Sequence, residues 1–281
     1  MPGVPPASPE GRRRLAPLVV AAALGAACGA PSRVVLPGGP GAPLPDPAIV
    51  LDAATVACRA VDTITAEAAM SGRVGGDRVR GRLLLGADRR GRLRLEAVAP
   101  FGAPLRVLAA SARGTTLVLP RDGRVLEGAA LDDVLDALVG LRLGGVDLYA
   151  VLTGCPPGGA RAAGGRRYPG RLAAIDLDAG GTAWVREEPT GARLVVREAG
   201  GLTVEYADFA RGFPARLTIV AASRGGRAAS ELVLRLSQVE RGAALDDRAF
   251  EVEVPAASTP LTLDELRQSG PLSGSGRGGG N

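Results

Sequence analysis

The chain contains no histidine, and lysine is missing too, so all 34 basic residues are arginine. Histidine is the commonest general base and the commonest ligand of transition metals, and without it the Ser-His-Asp triad and most zinc sites fall away. Aromatic residues make up 3% of the chain. The arginines are spread along strand-like segments beside Asp and Glu instead of clustering, so a net charge of +5 does not point to nucleic acid, which needs a basic stripe with stacking rings. There is no nucleophile elbow, phosphate loop or His-Glu-x-x-His motif. The acidic pairs Asp132-Asp133, Glu187-Glu188 and Asp246-Asp247 are adjacent residues, which point to opposite faces of a strand or serve a helix start, so they form no convergent acid-base or calcium site. No catalytic residue, metal or cofactor is expected. No apolar run reaches the roughly 20 residues of a membrane-spanning helix.

The apolar run that is present, Leu15 to Ala27, follows Arg12-Arg13-Arg14 and ends in small residues before Cys28. A basic start, a short apolar stretch and a small-residue end form a secretion signal. Leu24-Gly25-Ala26-Ala27-Cys28 resembles the box that precedes the lipid-modified cysteine of bacterial lipoproteins, with the leucine one place further upstream, and implies lipidation at Cys28. The alternative is an ordinary signal peptide cut near Ala27 or Ala30. Residues 1–27 then form the signal, and the Gly- and Pro-rich residues 28–45 a flexible tether. Cys58 and Cys155 remain. In an exported protein they form one disulfide or stay as two buried thiols, and sequence leaves both open.

The remaining chain, about 250 residues, is long enough for one large all-β domain or two smaller ones. Residues 46–61 read as a helix, with Asp46 as cap, Pro47 in the first turn, and Val50, Ala54, Ala57 and Val61 on the buried face. From Ile64 on, short β-patterned segments end in turn signals: six before residue 127, and seven more from Leu172 to a last one at Phe250 to Val254. Short links make neighbours antiparallel, and about a dozen strands curl. The pattern is broken by an amphipathic helix with Leu131, Val134, Leu135, Leu138 and Val139 on one face and Gly140 at its end. A shorter helix follows around Leu148, Val151 and Leu152. Gly-rich residues 159–166 read as a flexible loop, and residues 258–281 as a disordered tail with one short turn near Leu261 to Leu266. The expected fold is mainly β with helices: a curved, half-open antiparallel barrel over residues 46–257, with a helical lid.

The run Leu135-Asp136-Ala137-Leu138-Val139-Gly140-Leu141-Arg142-Leu143, followed by Asp147-Leu148 and Val151-Leu152-Thr153-Gly154-Cys155-Pro156, resembles the helix-turn-helix stretch of LolB-like outer-membrane lipoprotein receptors. Upstream, Leu93 to Gly102 resembles that group's strand ending in Pro-Leu-Gly, with Phe101 at the position of its exposed apolar loop residue. The resemblance covers residues 64–156, and the strands beyond only by pattern. It implies a member of the wider LolA/LolB carrier group. Such a protein is anchored at the outer membrane, faces the periplasm, binds lipoprotein acyl chains and membrane lipids, accepts cargo from a periplasmic lipoprotein carrier, and works as a monomer with no cofactor.

On that reading the inward candidates Leu83, Leu85, Leu93, Leu95, Leu117, Leu119, Leu135 and Leu138 bind acyl chains, and Phe101, between Pro100 and Gly102, inserts into the membrane. For each leucine the competing reading is ordinary core, and for Phe101 it is a cap on the core edge. Three functions of different class stand: the carrier, a lipid-anchored structural or interaction module whose barrel is packed shut, and an exported enzyme. An apolar hollow of several hundred Å³ favours the first over the second, and convergent polar groups favour the third.

Overall fold

A computed structural model describes residues 33–223 and 229–269, together with Met1 and Gly3. The predicted leader and Cys28 lie outside the described residues. The chain opens with β1 (Ala42–Pro43) and α1 (Pro47–Arg59), then β2 (Thr63–Val74), β3 (Asp77–Asp88), β4 (Leu93–Val98), β5 (Pro104–Ser111), β6 (Gly114–Leu119) and β7 (Arg124–Glu127). Two helices follow, α2 (Leu131–Val139) and α3 (Gly145–Thr153). The second run of strands is β8 (Ala162–Tyr168), β9 (Leu172–Leu177), β10 (Thr182–Glu188), β11 (Gly191–Ala199), β12 (Leu202–Ala207), β13 (Arg216–Ala221) and β14 (Ser230–Arg241). The chain closes with β15 (Thr259–Pro260) and α4 (Leu263–Gln268).

Among the described residues fifteen strands form one open sheet, in the order β1-β8-β9-β10-β11-β12-β13-β14-β2-β3-β4-β5-β6-β7-β15. The expected mainly-β half-barrel is what forms. Within each run neighbours are sequential and antiparallel, and the two runs join where β14 pairs with β2, Leu232 opposite Gly72 and Leu234 opposite Met70. Alternation sets the faces: on β2, Ile64, Ala66, Ala68 and Met70 are buried, and the residues between them are more exposed.

This order explains the lid. β7 lies near one end of the sheet and β8 near the other, so the chain that connects them must cross the inner face, and that connection is α2 and α3. In α2 the buried residues are Val134, Leu135 and Leu138, and Gly140 ends the helix in the left-handed conformation at φ 69°. A side chain at Gly140 would also meet the Ser230 hydroxyl. At the other rim Gly145 begins α3 so close to Gly91 that an added Cβ would stand 1.9 Å from its carbonyl oxygen, and glycine alone permits this docking.

Several expectations are corrected. The tether is shorter than residues 28–45: Val34 and Leu36 pack on the outer face beside Trp184 and Tyr168, β1 pairs with β8, and Leu44 is buried. Asp46 precedes α1 without a capping side-chain bond. The fully buried face of that helix is Leu51, Thr55 and Cys58, with Val50, Ala54, Ala57 and Val61 only half buried. Thr55 is tolerated there because its hydroxyl donates to the Leu51 carbonyl at 2.8 Å.

The Gly-rich stretch is a strand as well. β8 pairs with β9 across Gly164, Gly165 and Arg166, since glycine leaves room for Leu44 and Pro47 to lie over it. The strand expected at Phe250 to Val254 does not form: Phe250 ends a 3-10 turn, Asp247–Phe250, before which the Asp246 carboxylate accepts from the Ala249 amide at 3.0 Å, and residues 251–254 have no regular structure. From β14, in the middle of the sheet, the chain has to reach the edge beside β7, and this segment makes that crossing over the first strands. There β15 pairs parallel with β7, α4 packs on α2, and Leu261 and Leu266 are buried, so residues 259–268 belong to the fold and not to a tail.

Candidate functional site

Between the inner face of the first half-sheet and the roof made by α2 and α3 lies a cavity of about 110 Å³. Six of the eight leucines expected to face it do so: Leu83, Leu85, Leu95 and Leu117 from the sheet, and Leu135 and Leu138 from α2. They meet because registers align across four strands, Leu85 opposite Leu95, Leu95 opposite Leu108 and Leu108 opposite Leu117. Leu93 and Leu119 are buried in the closed part of the core and do not line the space.

Sequence reading missed the far wall. Ile219, Leu232 and Leu234 come from β13 and β14, and Met70 from β2. Nothing local in the sequence announces that β14 pairs with β2 across more than 150 residues, so the alternation in those strands gave their inward side chains but not their place. Leu141 and Leu143, in the turn between the helices, and Leu148 and Leu152 of α3 complete the roof.

Every lining side chain is apolar except Arg106. This residue sits two places into β5, opposite Ala97 and in line with Leu83. Burial pulls its pKa down and the charge of Asp122 acts the other way. Among the described residues it has neither a hydrogen-bond partner nor an ion-pair partner for its guanidinium.

The roof is held unequally. Cys58 and Cys155 form a disulfide with Cα atoms 5.7 Å apart, tying the end of α3 to the end of α1. The Tyr149 hydroxyl donates to the Val61 carbonyl at 2.7 Å and fixes α3 a second time. Its pKa is raised, chiefly by burial. At α2 the polar contacts are exposed ones: Arg142 reaches back to Asp132 at 3.0 Å and Asp133 at 2.8 Å. Exposed pairs of this kind contribute little to stability.

Phe101 tips the loop between β4 and β5 with its ring entirely in solvent. The loop is closed beneath it: the Gly102 amide donates to the Ala99 carbonyl, and the Ala99 amide to that of Ala103, each at 2.9 Å. Val98 and Ala99 are buried at its base. A core cap would have its ring covered, and this ring is not. The loop stands on the same rim as Arg106.

The acidic pairs serve arginines. Glu187 meets Arg167 and Glu188 meets Arg193, while Asp247 pairs with Arg92, which also stacks over Phe250. Trp184 and Tyr206 are strand residues of the second half, as their patterning indicates. Among the described residues no group of His, Cys, Asp and Glu could hold a metal ion, and no helix is long and apolar enough to cross a membrane.

No protein-family model matches the chain, and no curated protein sequence matches it. Among solved structures it is similar to a LolA superfamily protein from Nitrosomonas europaea, at 12% identity over 72% of this chain and 96% of that one, with a TM-score of 0.49. It is also similar to a DUF1329 family protein from Desulfovibrio piger, at 13% identity over 72% and 97%, with a TM-score of 0.44. A third is the Mycobacterium tuberculosis lipoprotein LppX, at 10% identity over 72% and 98%, with a TM-score of 0.31. The architecture of this chain is an open curved sheet with helices across its mouth.

Proposed function

We propose that this chain is a lipid-anchored protein of the bacterial cell envelope, facing the periplasm from the outer membrane as a monomer, that takes lipoprotein acyl chains into its cavity and passes them to membrane lipids. It is not an enzyme on this reading: its work is burial and release. The observation that carries the proposal is the lining, seventeen apolar side chains and one arginine under a helical roof. Burying acyl chain is worth about 0.8 kcal/mol per methylene, so the apolar wall alone supplies the holding energy.

The volume sharpens the mechanism. At about 110 Å³ the space falls short of the several hundred expected for an open pocket. A complete acyl chain therefore enters only as α2 lifts, while α3 stays pinned by the disulfide. The same small volume favours the second reading, a structural module with its core packed shut, and acyl uptake separates the two.

Uptake and delivery are tested together with a fluorescent acyl probe, a lipoprotein cargo received from a periplasmic carrier, and liposomes. Leu135→Asp places a charge in the roof and is expected to abolish probe binding in a protein that remains folded; unchanged binding would show that α2 is not the gate. Phe101→Glu leaves the cavity intact, so cargo should still be taken up, yet delivery into liposomes should drop severalfold because a charge opposes insertion at the interface. Equal delivery by both proteins would reduce Phe101 to an exposed side chain without a role. Mass spectrometry of the membrane fraction tests the anchor: the mature protein should begin at a diacylglyceryl-modified Cys28, and an unmodified soluble form would remove it.

A further inference from the structure

Arg106 is out of keeping with the cavity that it lines. A guanidinium held against apolar walls loses hydration, and proteins usually offset this with a carboxylate or with carbonyl oxygens. Here neither is supplied: Glu96 pairs with Arg94, and Asp122 acts on Arg106 without an ion pair among the described residues. The opposite strands place Ala97 and then Leu83 beside it, so no acid shares its row on the inner face. The second half-sheet has a comparable residue at the same rim. Arg197, opposite Ala183 and Val204 on the row that continues to Ile219 and Leu232, is 5% exposed with Nε and Nη1 unpartnered. Arg197 is not among the side chains that line the cavity under the roof, whereas Arg106 is.

We infer that Arg106 receives the anionic group of an amphiphile whose acyl tail occupies the cavity, so that the protein binds acidic lipids in preference to neutral ones of equal chain length. This rests on the reading of the cavity as an acyl site and adds a head-group preference to it. The geometry suits such a ligand: the tail lies among Leu83, Leu95, Leu108 and Leu117, and the head stops at Arg106, two residues inside the rim that carries Phe101. A head held there enters last and leaves first, on the side where the exposed ring stands. The shared chemistry is a single anion, a fatty-acid carboxylate or a lipid phosphate, that accepts from the guanidinium; charge-assisted bonds of this type are roughly twice as strong as neutral ones.

The test is displacement of a neutral fluorescent alkyl probe from the full-length protein at pH 8 by oleate, oleoyl lysophosphatidate and oleyl alcohol, with acetate and inorganic phosphate as tailless controls. One or both acidic lipids should displace the probe at about tenfold lower concentration than the alcohol, as one charge-assisted hydrogen bond in a dry site gives; which of the two does so identifies carboxylate or phosphate. Arg106→Met keeps the length of the side chain and removes its charge. It should erase the preference, so that acid and alcohol displace the probe at the same concentration. Equal binding of acid and alcohol by the unaltered protein would overturn the inference, as would a preference that survives in Arg106→Met or displacement by the tailless anions alone. Failure of every lipid, alcohol included, would overturn the acyl-cavity reading together with it, whereas alcohol binding without acid preference leaves that reading standing.

Discussion

In the second half-sheet, Ala173, Ile175, Ala183, Val185 and Leu194 are covered on the inner face by α1, whose Leu51 is 1% exposed, and Tyr168 packs against Trp184 on the outer face at 5.5 Å between ring centroids. In the first half-sheet the same inward positions hold leucine, and α2 and α3 cross above them without filling the space below. Both halves are antiparallel runs of similar length built on the same alternation. Their contents differ because α1 lies directly on its strands, whereas the roof helices are stretched between the two ends of the sheet. A helix that has to span a mouth cannot also descend to the floor.

Core substitutions give the sharpest break of this comparison. Ile175→Ala removes three carbons from a fully buried site in the packed half, and it should cost about 2–5 kcal/mol of unfolding free energy. Leu83→Ala, beside an existing cavity and only half buried, should cost about 1–2 kcal/mol, because part of its surroundings is already empty. Urea denaturation of the two variants measures the difference. Equal losses would mean that the two halves are equally packed and that the cavity is closed in solution.

The disulfide tests the asymmetry within the roof. Replacing both Cys58 and Cys155 by serine releases a cross-link between residues 97 apart and should lower stability by about 2–4 kcal/mol. Amide exchange should then quicken through α3 and the end of α1, with α2 changing less, because its contacts do not run through the bridge. If α2 loosened as much as α3, the roof would move as one body and the lifting of α2 over a pinned α3 would be wrong.

Much of this half-barrel was legible in the sequence, and what was lost follows a rule. Elements whose signal is local were readable: the i, i+3, i+4 stripe of α2 with its terminal glycine, and the alternation along β3 to β6. The exposed turn at Phe101 announced itself by its flanking proline and glycine. Elements fixed by distant partners were not. β8 has a glycine-rich sequence with no strand preference and is a strand because it pairs with β9 while Leu44 and Pro47 lie over Gly165. Phe250 sits in a β-like run, yet the chain at that point is crossing to the far edge. For the same reason the far wall of the cavity, Ile219, Leu232 and Leu234 on β13 and β14, was assigned to strands but not to the site. Arg106 was passed over because an arginine next to Leu105 and Val107 resembles any outward strand residue; only the register with Ala97 shows that it points inward.

The smallest effect expected concerns the edge at which the first half-sheet ends. α4 is capped by Thr262, whose hydroxyl accepts from the Glu265 amide at 3.2 Å, while the Glu265 carboxylate accepts from the Thr262 amide at 2.8 Å and from Arg124 at 2.9 Å. The amide of Thr262, with Arg124 next, brings the pKa of Glu265 down to about 2 from its ordinary 4.5. A carboxylate with a depressed folded-state pKa contributes fully above its unfolded value, and that contribution fades as pH falls from about 4.5 through about 2. Glu265 is solvent-facing, so the loss should be local and modest. Exchange of the Leu266 amide, which donates to the Thr262 carbonyl at 3.0 Å, should speed up across that window while amides of α1 in the packed half keep their protection. In Glu265→Gln the window should vanish. If α1 and α4 instead lost protection together, acid would be unfolding the whole sheet, and the edge beside α2 would be no looser than the half that α1 fills.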